Sequence, residues 1–243
     1  MGIVSRSESA LSRMTREHVL SLLETAHARA EREYEEVEAE RRAYTQFKER
    51  VSGFDTGPAS PAQSMTAVRS VETSGRHSVE RLRSAFRATV MSVDHYDKYY
   101  GESLDEHVAA ELSPEIATLF HPEQTTAFTE PAKTVLIAAV DRAVSQRDVV
   151  LDTIEREQDS LENSHTALTD LLDTYGEPWV ADRDRPEVEE KLDAIARTRQ
   201  ETLKNRTSTA RADGHDLCQY LYRDLELTYP VLTALARFRQ SLV

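Results

Sequence analysis

Two Glu-x-x-His pairs, Glu24–His27 and Glu162–His165, have the spacing most suggestive of chemistry. On a helix, side chains three apart project together, and di-iron carboxylate bundles use two such pairs plus a glutamate from each of two further helices. With 27 glutamates and 8 histidines in 243 residues, random placement yields about one such pair, so two match composition as well as they match that motif. Glu24 and His27 also fall off the apolar frame of their helix, and no glutamate pair is obvious on the other helices. The reading is therefore a salt-bridged surface, with no metal, no cofactor and no catalytic residue assigned.

A second cluster joins Asp94, His95, Asp97, Glu102 and His107 with Tyr96, Tyr99 and Tyr100. Carboxylates and imidazoles this close in sequence can hold a divalent ion. Their spacing matches no rigid loop such as an EF-hand, so a packed aromatic corner with solvated acids is the expectation. Cys218, the sole cysteine, lies near a helical apolar face beside Leu217 and Leu221 and reads as a small buried hydrophobe. It excludes a disulfide framework and a cysteine-rich metal site. Asn205-Arg206-Thr207 fits a glycosylation sequon but falls within a helical stretch. There is no glycine-rich phosphate loop, no Gly-x-Ser-x-Gly and no basic stripe.

The elements that would position these residues are all helical. Seven glycines and eight prolines are few for this length, and they gather at a handful of breaks. Residues 1–14 are expected to form a flexible tail, and Thr15 to cap a long helix over 15–52. Leu23, Ala26, Ala30, Val37, Tyr44, Phe47 and Val51 keep alternating spacings of three and four, with Glu33 and Glu40 in the same frame, as a coiled-coil seam requires. The segment 53–64 is rich in Gly, Pro and Ser and breaks the chain. A subdomain of short helices follows over 65–128, with Ser103 as an N-cap and Ser113-Pro114-Glu115 as a second helix start.

Residues 129–243 read as a long helical hairpin plus a C-terminal helix. Thr129-Glu130-Pro131 opens a helix to Tyr175, about 65 Å at 1.5 Å per residue, with Val140, Val144, Arg147, Leu151, Ile154, Gln158, Leu161, His165, Leu168, Leu172 and Tyr175 as its frame. GEPW (176–179) ends it. Asp184 and Pro186 open another toward Tyr220, with Leu192, Ala196, Arg199, Leu203 and Arg206 in its frame and Gly214 as a weak point, and a final amphipathic helix starts at Val231. The predicted fold is all-α: one folded unit, an elongated bundle of three long coiled-coil-like helices with the short-helix subdomain inserted between the first and second. Glu33 and Glu40 stand seven apart, as do Arg199 and Arg206, so paired carboxylates and guanidiniums are an expected register device between helices.

Charge narrows the environment. There are 43 acidic and 30 basic residues, a net of −13, and only five of the basic residues are lysine. Such surfaces hold water and cations and keep a chain dissolved where the Debye length falls to about 3 Å at 1 M salt. The expectation is a cytoplasmic protein of a salt-accumulating archaeon. Phosphate contacts weaken steeply with salt, so direct nucleic-acid binding is not expected. The longest apolar run, Val135 to Val140, is far below the roughly 20 residues that span a bilayer, so no membrane association is expected. The N-terminus lacks a signal-peptide core, and Arg6 breaks the myristoylation pattern.

Three stretches, EREYEEVEAERRAYTQFKERV (31–51), TVMSVDHYDKYYGESLDEHVAAEL (89–112) and CQYLYRDLELTYPVLTALARF (218–238), resemble an uncharacterised family of all-helical haloarchaeal proteins. The resemblance implies no activity or ligand. The function expected is a non-enzymatic coiled-coil interaction protein, a structural or regulatory adaptor acting through a protein partner or self-association. The alternatives are a metal-binding bundle enzyme built on the Glu-x-x-His pairs, and a regulator reaching nucleic acid through a partner.

Overall fold

A computed structural model of the chain describes residues 4–57, 77–121, 128–175, 180–206, 217–225 and 227–242, with side chains from Arg16 onward and, in the fourth segment, as far as Lys204. The chain is all-α. Its helices are α1 (Val4–Ser52), α2 (77–87), α3 (Tyr96–Tyr99), α4 (Leu104–Glu111), α5 (Pro114–Ala117), α6 (Glu130–Tyr175), α7 (Arg185–Arg206), α8 (Leu217–Leu221) and α9 (Pro230–Ser241). Among the described residues there is no strand, and Gly57 and Thr129 form an isolated bridge. No helix is long and apolar enough to cross a membrane among them.

The sequence signals for helix ends act as expected at several points. Ser103 accepts from the Glu106 N–H while the Glu106 carboxylate reaches back to the Ser103 N–H, a full capping box. Ser113 caps α5, with Pro114 in its first turn. Helix α6 ends at Tyr175, as expected. Helix α1 instead begins at Val4, well before Thr15. Residues 4–14 contain no Gly or Pro and several good helix formers, so nothing halts the helix there. Helix α2 stops at 87 and is followed by a 3-10 turn at Val90–Ser92. Three expectations fall outside the described residues: the 58–64 part of the break, the GEPW terminator and the weak point at Gly214.

The chain forms two compact units, Met1–Glu35 with Val150–Val243, and Glu36–Val149. In the second unit Tyr44, Phe47 and Val51 of α1 and Leu136, Ala139, Val140 and Ala143 of α6 share one core with Leu82 and Phe86 of α2 and Val108 of α4. Phe86 is its hub, edge-on to Phe47 at 5.1 Å and to Phe120 at 5.7 Å. In the first unit Leu23, Ala26 and Ala30 are buried, as are Ile154, Leu161 and Leu168, Leu192, Leu221 and Leu235. Each large apolar side chain so buried contributes about 1.5–3 kcal/mol.

The seven seam residues of α1 are all buried. The buried face of α6 is broader than its predicted frame, because Leu136, Ala143, Glu157, Ser164 and Leu171 join it. A helix packed on more than one side buries more than a two-position stripe.

Candidate functional site

Each unit holds one network of buried charges. In the second unit Arg147 of α6 is its centre, only 8% exposed. Its Nε donates to Glu40 Oε2 at 2.9 Å, its Nη2 to Glu111 Oε2 at 2.8 Å, and its Nη1 to the Ala143 carbonyl. The guanidinium lies 4.4 Å from the centre of the Tyr44 ring, a cation–π stack. One side chain thereby ties α1, α4 and α6 together. Glu40 Oε1 also accepts from the Tyr100 hydroxyl at 2.9 Å and lies 3.0 Å from His95 Nε2. Burial disfavours the charged form of Arg147, but Tyr44, Glu111 and Glu40 outweigh it and hold the guanidinium ionised. Burial first, then Glu40, pushes the Tyr100 phenol far up, and Tyr44 rises for the same first reason.

The first unit repeats the idea with other partners. Arg199 of α7, 2% exposed, meets Glu157 of α6 in a bidentate pair, Nη1 to Oε2 at 2.9 Å and Nη2 to Oε1 at 2.8 Å. Arg199 Nη1 also donates to Ser160 Oγ at 2.9 Å, and Nη2 lies 3.7 Å from Cys218 Sγ. The Tyr222 hydroxyl donates to Glu157 Oε1 at 2.5 Å. Burial raises the Tyr222 phenol strongly and Glu157 adds to it. Burial also opposes the charge on Arg199, and the Glu157 hydrogen bonds overcome that.

The sequence matches a family model described as a domain of unknown function (DUF7260) over residues 21–243. The chain belongs to the DUF7260 family. No curated protein and no solved structure matches it.

In this DUF7260 chain Arg199 pairs with neither Glu33 nor Glu40. Glu40 is taken by Arg147 and Arg199 by Glu157. Glu33 pairs with Arg29 on its own helix at 3.0 Å and accepts from the Tyr220 hydroxyl. Arg206 has no described side chain. The device was right in kind and wrong in its partners, because heptad spacing gives the face a residue occupies but not its opposite number.

The Glu-x-x-His pairs meet in part. His165 Nε2 of α6 lies 3.7 Å from Glu24 Oε1 of α1, while Glu162 is exposed. Among the described residues no three or more His, Cys, Asp or Glu converge closely enough to hold a metal. The 94–107 cluster divides: Asp94 and Asp97 are exposed, while His95 and His107 are buried. Cys218 is fully buried.

The sequence reading missed Glu157, Tyr222 and Glu111 as network members. Glu157 lies one residue before Gln158 in the predicted frame, and an acid beside a seam carries no mark of burial. Arg147 was legible as a charge inside the frame, although its partners were not.

Proposed function

We propose that this chain is a non-enzymatic interaction protein, a structural or regulatory adaptor working in the cytoplasm of a salt-accumulating archaeon. The observation that carries the reading is the use made of the buried charges. Arg199 and Glu157, and Arg147 with Glu40 and Glu111, join one helix to another. A carboxylate held by a bidentate guanidinium is neither a free base nor a free ligand. Such pairs cost desolvation and can specify which helices align, which suits a protein whose product is a defined helical surface. Membership of DUF7260 adds no activity. The net charge of −13 supports operation at high salt, where self-repulsion is screened.

The test is affinity isolation of the tagged protein from a halophilic host at multimolar KCl, with sedimentation velocity on the purified chain. One stoichiometric protein partner, or a defined oligomer, is the expected result. A monomer that retains nothing but turns over a small molecule would sink the adaptor reading.

A further inference from the structure

Helix α3 is a single turn, Tyr96–Tyr99, yet it covers two polar centres of the second unit. At its C-terminal end the Tyr100 hydroxyl donates to Glu40 Oε1 at 2.9 Å, and at its N-terminal end His95 Nε2 lies 3.0 Å from the same oxygen. Tyr96 and Tyr100 also wall the His107 ring, with centroids 5.1 and 4.9 Å from it, and Phe86 of α2 closes another side at 5.9 Å. Asp97, Lys98 and Tyr99 face solvent, so the grip of this turn on the core is that of His95, Tyr96 and Tyr100. A lone helical turn does not persist in water, and elements with few buried contacts are the first to open.

The imidazole beneath it is poorly provided for a charge. His107 is 1% exposed, and an imidazolium donates from both ring nitrogens. Nε2 has the Tyr44 hydroxyl of α1 at 3.2 Å. Nδ1 has no hydrogen-bond partner, and Glu102 Oε2, at 3.7 Å, lies beyond hydrogen-bond length. The charged groups facing the ring are Glu40 of α1, Glu102 of the connector, Glu111 of α4 itself and Arg147 of α6. The phenols of Tyr44, Tyr96 and Tyr100 complete its surroundings. Burial outweighs the three carboxylates and holds the imidazole below its usual pKa. With α3 lifted away, water solvates the ring and that penalty disappears.

We propose that α3 is a proton-operated lid: protonation of His107 lifts the 94–102 segment off α1 and α4 while the rest of the second unit stays folded. A proton that binds the open form more tightly than the closed one shifts the population toward the open form. The opening equilibrium therefore moves by up to about tenfold per pH unit between the solvated imidazole's pKa, about 6.5, and the lower value under the lid. Opening frees Glu40 from Tyr100 and His95 and leaves its bond to Arg147, so α1 and α6 remain joined. It also bares the faces of Tyr96 and Tyr100 beside Tyr99, which is already exposed. The lid goes beyond the adaptor reading without depending on it.

The test is hydrogen exchange of the full chain from about pH 7.5 to about pH 5, corrected for the intrinsic exchange rate and read by mass spectrometry. The reporting amides are those of Tyr99, Tyr100 and Gly101, which donate to the His95 and Tyr96 carbonyls. Their protection is expected to fall about fivefold or more across that range, while residues 136–147 of α6 hold theirs. His107→Gln is expected to flatten the dependence, and His95→Gln to keep its slope. Should His107→Gln fail to fold, the imidazole resonances of the wild type decide, because a His107 titrating at or above about 6.5 sinks the lid. A flat profile at α3, or an equal fall in α6, overturns the proposal as well.

Discussion

Arg199 and Glu157 face each other with two parallel hydrogen bonds, and their side chains are 1% and 0% exposed. Removing one partner leaves the other as an uncompensated buried charge, a loss of about 3–5 kcal/mol. Removing both in favour of apolar residues of similar volume is often neutral or better. Arg199→Met and Glu157→Leu are therefore each expected to be strongly destabilising in guanidinium unfolding. The double variant is expected to recover most of the loss. If both single variants unfold at the wild-type midpoint, the pair is not buried as described.

At Arg147 the expected contrast is between lysine and arginine. The guanidinium serves Glu40 and Glu111 from different nitrogens while stacking on Tyr44. An ammonium cannot present that planar fork. Arg147→Lys keeps the charge yet is expected to lose about 1–3 kcal/mol, the scale of a hydrogen bond to a charged group. Arg147→Met is expected to lose more, since Glu40 and Glu111 are then left without their cation. Equal stability of Arg147→Lys and wild type would mean that charge alone matters at this position.

How much of this was legible beforehand varies with the residue. The α1 seam, the Ser103 and Ser113 caps and the end of α6 at Tyr175 were readable, because each rests on local spacing or local hydrogen bonding. The start of α1 was not, since Thr15 makes a plausible cap inside a run that nothing interrupts. Glu33, Glu40, Arg147 and Arg199 stood out as charges in apolar frames, but the ion-pair partners of Glu40, Arg147 and Arg199 lie tens of residues away or more. Glu40 pairs with Arg147 and Tyr100. Pairings of that kind are set by how helices turn toward each other, which one sequence does not encode locally. The aromatic corner around His107 was visible as a cluster. Its division into exposed Asp94 and Asp97 and buried His95 and His107 depends on the direction of α3, a single helical turn.

His107 gives a pH dependence with a definite sign. Burial is the main cause that lowers its pKa below the usual 6.5, against the pull of Glu111 and Glu102. The unfolded chain therefore binds a proton at higher pH than the folded one. The stability tied to His107 is full above the unfolded value and is lost as pH falls from about 6.5 toward the lower folded value. In EDTA, unfolding midpoints of wild type are expected to fall over that window more steeply than those of His107→Gln. Parallel slopes in the two proteins would place the imidazole in water rather than against Tyr96 and Tyr100.

Gly101 is the described glycine with a positive φ, +57°. A Cβ there would meet the Asp97 carbonyl at 3.5 Å, an ordinary contact. The cost of Gly101→Ala is therefore backbone conformation alone, about 1–2 kcal/mol, and Gly101→Asn should cost less because asparagine tolerates that region. The turn matters because the Gly101 N–H donates to the Tyr96 carbonyl at 3.3 Å, and the next residue is Glu102. Beyond it, the Ser103 cap is worth about 1 kcal/mol by Ser103→Ala. Thermal unfolding of Gly101→Ala, Gly101→Asn and Ser103→Ala should rank in that way. If Gly101→Ala matches wild type, the connector has another low-energy path, and the position of Glu102 opposite His107 is not fixed by this turn.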